Sequence, residues 1–485
     1  MKRPSGSLAL VGALFLGVAS TGAHAATLTV TTLRDSGRGS LRQAIERANR
    51  TTSADTIVFA ARVRGTLGLK SSLPNLKGSL SIIGPGRERL NVRRTGMARY
   101  RIFTITKDAH VSLAGLTLSN GFAQSLNKDD EKGGVGGGIS NEGRLRMNAC
   151  SLTGNQSSGS GGALFNAGAQ LTLTNCSVTD NTCLLTDTRY DFPQGGGGLC
   201  NTQSDTPLLI SDCTFSGNAC RGDGSGGAIN NASGATMRIL RSTLTHNNAR
   251  GGGAYSGVSD VAGEYGGQLV VMQSLIANNT AIYDGAIGMA SYGGKATLTN
   301  CTLSGNKATD PTDGVGAIWT GLGGVTLTNC TIVGNVGSKC GGVWTSPYSS
   351  ISECIIAGNV LPSHAPGNDI FFGEPQSATR PHLSQGRNLI GRGEAATLAY
   401  FDQPDDHCKV SLAALKLGPL ADNGGPTKTY ALLPGSVAIG QGGAFAAKAN
   451  IATDQRGGRR SQGQGDKRSI GAFQTASKTS AKTEK

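Results

Sequence analysis

The chain has few aromatic residues, which excludes a thick core packed with large rings. Phenylalanine, tyrosine and tryptophan make up 5% of the 485 residues, and only 2 residues are tryptophan. Glycine, in contrast, occurs 74 times. The glycines stand at repeated places between short apolar runs, so the composition does not indicate a low-complexity, disordered chain.

Acidic residues are outnumbered, with 31 Asp and Glu against 45 Lys and Arg, and the formal net charge is +14. This excess of positive charge predicts contact with anionic polymers such as acidic polysaccharide or envelope surfaces. The alternative is that the charge serves solubility alone. Dense Lys and Arg runs interleaved with aromatic residues are missing from the sequence. We therefore expect no nucleic-acid partner.

Long uninterrupted runs of apolar residues are missing from the sequence except near its start. Lys2 and Arg3 precede an apolar run at 8–19, and Ala23-His24-Ala25 follows as a small-residue cleavage site. This pattern predicts a signal peptide over residues 1–25, and the run is too short for a stable membrane span. We expect an exported protein, secreted or at the cell surface, without a transmembrane anchor.

Familiar catalytic signatures are missing too. The histidines beyond the signal are scattered without the spacing of metal ligands, and neither a nucleophile elbow in a strand–helix context nor a phosphate-binding loop occurs. The sequence therefore predicts no metal site and no cofactor. Calcium would be needed only if the protein were a polysaccharide lyase.

A hexapeptide recurs along the chain, first as CSLTGN at 150–155 and then as CSVTDN at 176–181. Aligned on its last residue, it has eight copies about 29 residues apart, within the range of solenoid repeats. The residue three positions earlier is apolar, and the residue five positions earlier is usually Cys. The copies end at Asn155, Asn181, Asn218, Asn247, Asn278, Asn306, Asn335 and Asn359.

A second element accompanies each copy, with glycines before an apolar residue, as in GGGISN (136–141), GAIW (316–319) and GGVW (341–344). Alternating Thr, Leu and Val stretches separate the elements, which predicts strands. A repeated strand–turn–strand coil of this length predicts an all-β, right-handed parallel β-helix. We expect the apolar and Cys positions to point inward, and the Asn side chains to stack at a turn that favours left-handed backbone.

The ends of this β-helix are expected to be covered. GSLRQAIERAN (39–49) predicts a short N-terminal capping helix, with Ser40 and Gln43 as a capping box and an apolar face at helical spacing. The predicted parts of the mature chain are an N-terminal cap with the first irregular coils at 26–122, eight repeats at 123–360, C-terminal coils and a cap at 361–473, and a disordered tail at 474–485.

Eleven cysteines in an exported chain suggest disulfides. Six lie at the inward position of the repeat, where a free thiol acts as a small apolar group. Cys183 and Cys220 each follow a repeat Asn by two residues, so they occupy equivalent positions on neighbouring coils and are predicted to form a disulfide. The pattern assigns no partner to Cys200, Cys340 or Cys408.

Two parts of the sequence carry a resemblance. The paired GGA[I/L] and [F/L/V]xxN elements resemble the repeats of polymorphic outer-membrane proteins, which are surface adhesins. The opening TVTTLRDSGRGSLRQAI and the ending PLADNGGPTKTYALLPGSVAIG, with TDQRG and IGAF after it, resemble bacterial extracellular proteins with a choice-of-anchor C-terminal region. The resemblance implies an exported β-helix of adhesin type, although no barrel-like strand pattern follows residue 361.

A long insertion at 182–194, TCLLTDTRYDFPQ, holds the densest cluster of chemistry-bearing residues. Insertions in repeat proteins form loops on one face, which is often the binding face. Asp187, Arg189, Tyr190 and Asp191 are therefore the predicted ligand-binding residues, and a solvated loop is the alternative. TDPTDG (309–314) is typical of a turn rather than of a calcium site.

These patterns favour an exported surface or secreted binding protein of adhesin type, acting as a monomer on polysaccharide or cell-envelope ligands. Two alternatives remain open: a polysaccharide lyase or glycoside hydrolase working along one face, and a passive structural protein of the envelope or matrix. Acidic side chains that converge in one groove would favour the enzyme.

Overall fold

The computed structural model describes residues 24–124, 134–167, 170–185, 195–202, 206–232, 234–257, 267–289, 294–321, 323–346, 348–363, 367–373, 383–443, 451–460 and 468–475. The predicted ligand-binding residues 187–191 and almost all of the predicted signal peptide lie outside these ranges. Within them the chain winds through four parallel sheets, and each coil adds one strand to each long sheet. The predicted parallel β-helix is confirmed, and the right-handed sense is that of nearly all parallel crossovers.

The first two sheets, A and B, each contain twelve strands. The strands of sheet A are Thr27–Val30, Asp55–Phe59, Ser79–Ile83, His110–Ala114, Arg144–Asn148, Leu171–Thr174, Leu208–Ser211, Met237–Leu240, Gln268–Met272, Lys295–Thr299, Val325–Thr328 and Ser350–Ser352. Those of sheet B are Gly65–Leu69, Leu90–Arg94, Thr117–Ser119, Ser151–Thr153, Ser177–Thr179, Thr214–Ser216, Thr243–Thr245, Leu275–Ala277, Thr302–Ser304, Thr331–Val333, Ile355–Ile356 and Leu389–Ile390.

Sheet C has ten strands and sheet D has seven short ones. The strands of sheet C are Phe103–Ile105, Ile139–Asn141, Leu164–Ala167, Leu199–Thr202, Ile229–Asn231, Tyr255–Ser256, Ile287–Met289, Ile318–Thr320, Val343–Thr345 and Ile370–Phe372. Those of sheet D are Phe122–Ala123, Gln156–Ser157, Thr182–Cys183, Ala219–Cys220, Asn248–Ala249, Thr280–Ala281 and Lys307–Ala308.

The predicted capping helix is α1, Leu41–Ala48, which packs against the first two strands of sheet A. The Ser40 side chain accepts a hydrogen bond from the Gln43 backbone N–H at 3.2 Å. The Gln43 side chain accepts one from the Gly39 N–H, one residue before the position that an ideal capping box would use. The apolar face of α1 is buried, so the helix covers the open edge of the first coil.

The repeated Asn residues form a buried ladder between coils. Each side-chain amide donates to the side-chain oxygen of the next Asn at 2.8–3.0 Å, and the last one donates to Asp369. The fifth member is Asn279, whereas Asn278 is exposed. The predicted alignment of that coil was therefore wrong by one residue, and Ser274 and Ile276 take the inward positions assigned to Gln273 and Leu275.

The left-handed residues flank the ladder Asn residues in sequence, and the ladder Asn residues themselves are not left-handed. The residue before each ladder Asn has φ between 56° and 72°. The residue before each inward Cys or Ser position is also left-handed, with φ between 45° and 55°. The prediction that the ladder Asn itself is left-handed was wrong. The two bends lie at either end of the short sheet B strand, and the ladder Asn bonds across the second one.

The inward cysteines are buried and free, as expected of small apolar side chains in a narrow core. Cys183 and Cys220 are directly paired in sheet D and form a disulfide between adjacent coils, with their Cα atoms 4.8 Å apart. This is the pair that the sequence predicts.

The C-terminal part both closes the helix end and folds back along its side. Helix α2, Ala395–Leu398, packs on the last strand of sheet C, where Phe401 is buried. The described residues 411–443, 451–460 and 468–475, which we name the strap, contain helix α3, Leu412–Leu415, and an antiparallel hairpin of Leu417–Ala421 and Thr429–Leu432.

The strap lies on the outer face of sheet B, which the predicted end cap did not include. Leu432 and Ile470 of the strap join Val333, Ile355 and Leu389 of that sheet in a small second core. Gln474 and Thr475, assigned by the sequence to the disordered tail, are hydrogen-bonded within the strap. In the described ranges, no helix is long and apolar enough to cross a membrane.

Candidate functional site

The outer face of sheet C changes from small to aromatic side chains along the β-helix. One outward position in each coil is occupied successively by Ser256, Gly288, Trp319, Trp344 and Phe371, which are register partners on neighbouring strands. The residues on either side of this position, such as Ile318 and Val343, point into the core and are fully buried. Alternation along the strand therefore places the aromatic side chains outward.

Trp319, Trp344 and Phe371 form what we name the aromatic stripe. All three side chains are half-buried, and both tryptophans of the chain belong to it. The rings of Trp344 and Phe371 meet edge to face, with centroids 5.2 Å apart and planes at 77°. The Lys339 amino group lies 5.7 Å from the Trp344 ring centroid and 5.5 Å from that of Phe371, within the range of a cation–π contact.

A groove of about 630 Å³ runs beside the stripe. It is open to solvent and is bounded on one side by the two tryptophans. The other lining residues belong to the strands and turns of four successive coils, which the parallel winding brings side by side. These residues are Asp223, Ser225, Arg250, Gly251, Ser256, Tyr283, Asp284, Gly288 and Asp313.

Asp284 is the buried carboxyl of this groove, with 9% of its surface exposed. Its Oδ2 lies close to glycine backbone of its own coil and of the preceding one: a Cβ added to Gly288 would be 2.5 Å from it, and one added to Gly251 would be 3.6 Å away. Glycine at 288 thus leaves the space that the carboxyl occupies. Burial raises the pKa of the Asp284 carboxyl to about 7.

A cation and a phenol lie on the rim of the groove. The Arg250 guanidinium forms an ion pair with Asp223, donates to the Tyr283 hydroxyl at 3.3 Å and lies 5.4 Å from the centroid of the Tyr283 ring. Asp313 is exposed, and its backbone N–H donates to Asp310 in the expected turn at 309–314. The Asp310 carboxylate also accepts hydrogen bonds from Thr312, which confirms that this stretch forms a turn.

The arrangement combines flat apolar rings with charged groups that can form hydrogen bonds. Such a groove can bind a chain of sugar residues, whose C–H faces stack on aromatic rings and whose hydroxyls bond to polar side chains. A carboxyl that keeps its proton near neutral pH can in addition act as a general acid. No group of three or more His, Cys, Asp or Glu side chains among the described residues is placed to hold a metal ion.

This groove was not predicted from the sequence. The predicted ligand-binding residues, Asp187, Arg189, Tyr190 and Asp191, lie outside the described residues. The tryptophans occur at the same repeat position, in GAIW and GGVW, and this coincidence was the signal available. Asp223, Asp284 and Asp313 come from turns of different coils, and their convergence depends on the register between coils.

Comparisons with known proteins find few similarities. No protein-family model matches the chain, and no curated protein sequence matches it. The adhesin and choice-of-anchor resemblance therefore remains a prediction.

Solved structures with a distant similarity to this chain include the following two. One is ORF18 of Geobacillus virus E2, with a TM-score of 0.36 and 11% identity over 72% of this chain, which spans 60% of the viral protein. The other is pectate lyase Pel9A, with a TM-score of 0.42 and 12% identity over 94% of this chain and 98% of the lyase. Similarities this low carry no information about activity.

Proposed function

We propose that the protein is an exported glycan-binding protein that holds a polysaccharide chain along the aromatic stripe. The observation that carries this proposal is the alignment of Trp319, Trp344 and Phe371 on three successive coils. Because neighbouring strands lie about 4.8 Å apart, the stripe offers an apolar surface about 10 Å long. Large rings held half-exposed side by side are typical of a binding surface.

The polar rim supports the same ligand class. Arg250, Tyr283 and Asp223 form one bonded cluster beside the stripe, so their donors and acceptors are held in place before a ligand arrives. Preorganised groups of this kind reduce the ordering cost of binding. A cell-envelope or extracellular polysaccharide is therefore the proposed partner, and an adhesin role is the corresponding function.

The test is calorimetric titration of the purified chain with a panel of neutral and acidic polysaccharides. Replacing Trp344 by Ala removes the central ring of the stripe and should weaken binding by at least about tenfold, as expected for an aromatic hot spot. Tyr348→Ala is the matched control, because Tyr348 is 70% exposed and does not line the groove. Equal affinities of the two variants would contradict the proposal.

Asp284 favours a second candidate, a glycan-cleaving enzyme. Cleavage of a glycosidic bond by hydrolysis needs a protonated carboxyl for the leaving oxygen and a second carboxylate to activate water or attack the sugar. Asp284 with its raised pKa suits the first role, and Asp313 or Asp223 is available for the second.

The two candidates are separated by following polymer length during incubation with and without calcium. Shortened products that disappear in Asp284→Asn but persist in Asp310→Asn, a turn carboxylate outside the groove lining, would establish the enzyme. Polymers that remain intact at every pH from 5 to 8 would leave binding as the function.

The insertion at 182–194 stays a proposed secondary contact. Tyr190→Ala in the same titration should weaken binding if this loop touches the ligand, as its mixture of acid, Arg and aromatic residues suggests. Unchanged affinity would show that Tyr190 does not contact the ligand, as expected for a solvated loop.

A further inference from the structure

A second cavity, of about 650 Å³, lies at the far end of the aromatic stripe. Its charged lining residues are Lys339, Arg392 and Lys409, and Ser338 and Asn368 add neutral polar groups. No carboxylate belongs to its lining in the part of the chain that the structure describes. We name this cavity the basic pocket.

The described acids near the basic pocket do not pair with its cations. Asp369, a buried carboxylate that follows the lining residue Asn368, accepts hydrogen bonds from Asn359 through one oxygen and from the Arg392 backbone N–H through the other. Glu394 lies two residues beyond Arg392 and is exposed, and no ion pair of Arg392 or Lys409 is found among the described residues. Within the described ranges, three positive side chains, those of Lys339, Arg392 and Lys409, therefore face one cavity and form no ion pair.

Lys339 joins the basic pocket to the stripe. It lines the pocket, and its amino group also lies over the rings of Trp344 and Phe371. A ligand that leaves the last ring of the stripe therefore meets these cations next. Arg392 can receive a planar oxyanion through two parallel N–H groups, and lysine acts as a point charge.

We propose that the basic pocket binds an anionic group of the glycan that lies on the aromatic stripe, which makes the ligand an acidic polysaccharide. This inference rests on the proposed glycan-binding function. The shared chemistry is an oxyanion on a sugar ring, supplied either by the carboxylate of a uronic acid or by a sulfate ester. The net charge of the chain, +14, attracts such polymers from a distance.

The experiment compares matched pairs of ligands that differ only in charge. The purified chain is titrated with oligogalacturonate, with the same oligomer after reduction of its carboxyls to alcohols, and with sulfated and unsulfated dextran. Binding is followed by calorimetry and by the tryptophan fluorescence, which reports on the stripe alone because both tryptophans belong to it. At least one charged ligand should bind about tenfold or more tightly than its neutral partner.

The double variant Arg392→Gln with Lys409→Gln should lose this charge preference and keep the affinity for neutral oligomers. Lys295→Gln is the control, since Lys295 is exposed at the start of a sheet A strand. A preference for oligogalacturonate identifies the carboxylate, and a preference for sulfated dextran identifies the sulfate.

Three results would overturn the inference. Equal binding of charged and neutral oligomers by the unaltered chain would do so and leave the glycan-binding proposal intact. A loss of preference in Lys295→Gln as large as in the double variant would show an effect of net charge alone. If no oligomer binds or changes the fluorescence, the proposed function fails together with the inference.

Discussion

Two buried polar side chains illustrate different settings: Asn247 is bonded to neighbours on the adjacent coils, and Asp284 is held apart from such partners. The Asn247 side chain accepts from the N–H and the side-chain amide of Asn218, and donates to Phe215 O and to Asn279. Asp284, in contrast, is buried against glycine backbone in the groove, and burial is what shifts its pKa. The first setting supports the fold, and the second setting is typical of a functional site.

Asp284 should make the folded chain less stable as the pH rises. Its carboxyl has a pKa near 7 when folded and an ordinary value of 3.8 when unfolded, so between these values the folded state binds more protons. The contribution of Asp284 to the free energy of unfolding is therefore fully present below about pH 4. It is lost as the pH rises to about 7, and the loss is at most about 4 kcal/mol. Denaturant unfolding of Asp284→Asn should lack this component, and the difference from the unaltered chain should grow across that window.

Asp313→Asn provides the control for this measurement, because its side chain is exposed in the same groove. A difference between Asp284→Asn and the unaltered chain that stays constant from pH 4 to pH 8 would show that Asp284 is not desolvated.

Asn247→Ala should be among the more destabilising single substitutions. It removes the acceptor of two buried Asn218 donors, and an unpaired buried donor costs about 1–3 kcal/mol. We expect a loss of about 3 kcal/mol or more in the free energy of unfolding. The neighbour Asn248 is exposed, so Asn248→Ala should change it by less than about 0.5 kcal/mol. Similar losses in both variants would contradict a structural role for the ladder.

One repeat copy shows that the sequence contained enough information to place the ladder Asn correctly. The dipeptide Asn278-Asn279 allows two alignments, and a slip of one residue reverses every side chain of a strand. The neighbouring copies place Cys or Ser five residues before the ladder Asn, and Ser274 satisfies this whereas Gln273 does not. The correct alignment was therefore predictable, because a narrow core has room for the small side chain of Ser274 but not for the longer amide of Gln273.

At the scale of elements, local pattern predicted the strands and α1 but not the strap. The helix follows from the spacing of Leu41, Ala44, Ile45 and Ala48, all of which are buried. The strap contacts strands about 150 residues earlier, as in the hydrogen bond from the Thr302 hydroxyl to the Gln455 side chain. No periodicity within the strap encodes such a partner, so its position on sheet B was not predictable from sequence.

Arg460 fastens the strap to the bend that precedes one strand of sheet B. The residue is 1% exposed, and its guanidinium donates to Asn300 Oδ1 in that bend at 2.9 Å and, within the strap, to Ser469 O at 3.0 Å and Gly471 O. Arg460→Gln should leave these acceptors unpaired and release the strap, which trypsin would then cut within 411–475 far faster. The exposed neighbour supplies the control, Arg459→Gln. Unchanged cleavage of the Arg460 variant would show that the strap is held by its apolar contacts alone.

The disulfide joins two successive coils across 37 residues. Closing a loop of this length should stabilise the chain by about 4 kcal/mol, chiefly by restricting the unfolded state. Replacing Cys183 and Cys220 together by Ala should lower the free energy of unfolding by about that amount. Adding a reductant should lower it in the unaltered chain but leave the double variant unchanged, and a response of the variant would point to another bond.

On the scale of the whole molecule, the repeat predicted the architecture because a solenoid needs only contacts between neighbouring coils. The site required more than the repeat. Trp319 and Trp344 share a repeat position and could have been found by alignment, but Asp223, Asp284 and Asp313 come from turns of unequal length. Only the register of successive coils places these turns at one groove.

The strap also governs how the molecule would yield to tension. Its described hydrogen bonds reach back to Gln273, so the strap clasps the coils that follow this residue. Pulled from its N-terminal end, the β-helix should unwind one coil at a time, each of about 29 residues lengthening the chain by about 10 nm, until the clasp resists. The bond between Cys183 and Cys220 would hide one of these steps, and a force–extension trace should regain it on reduction.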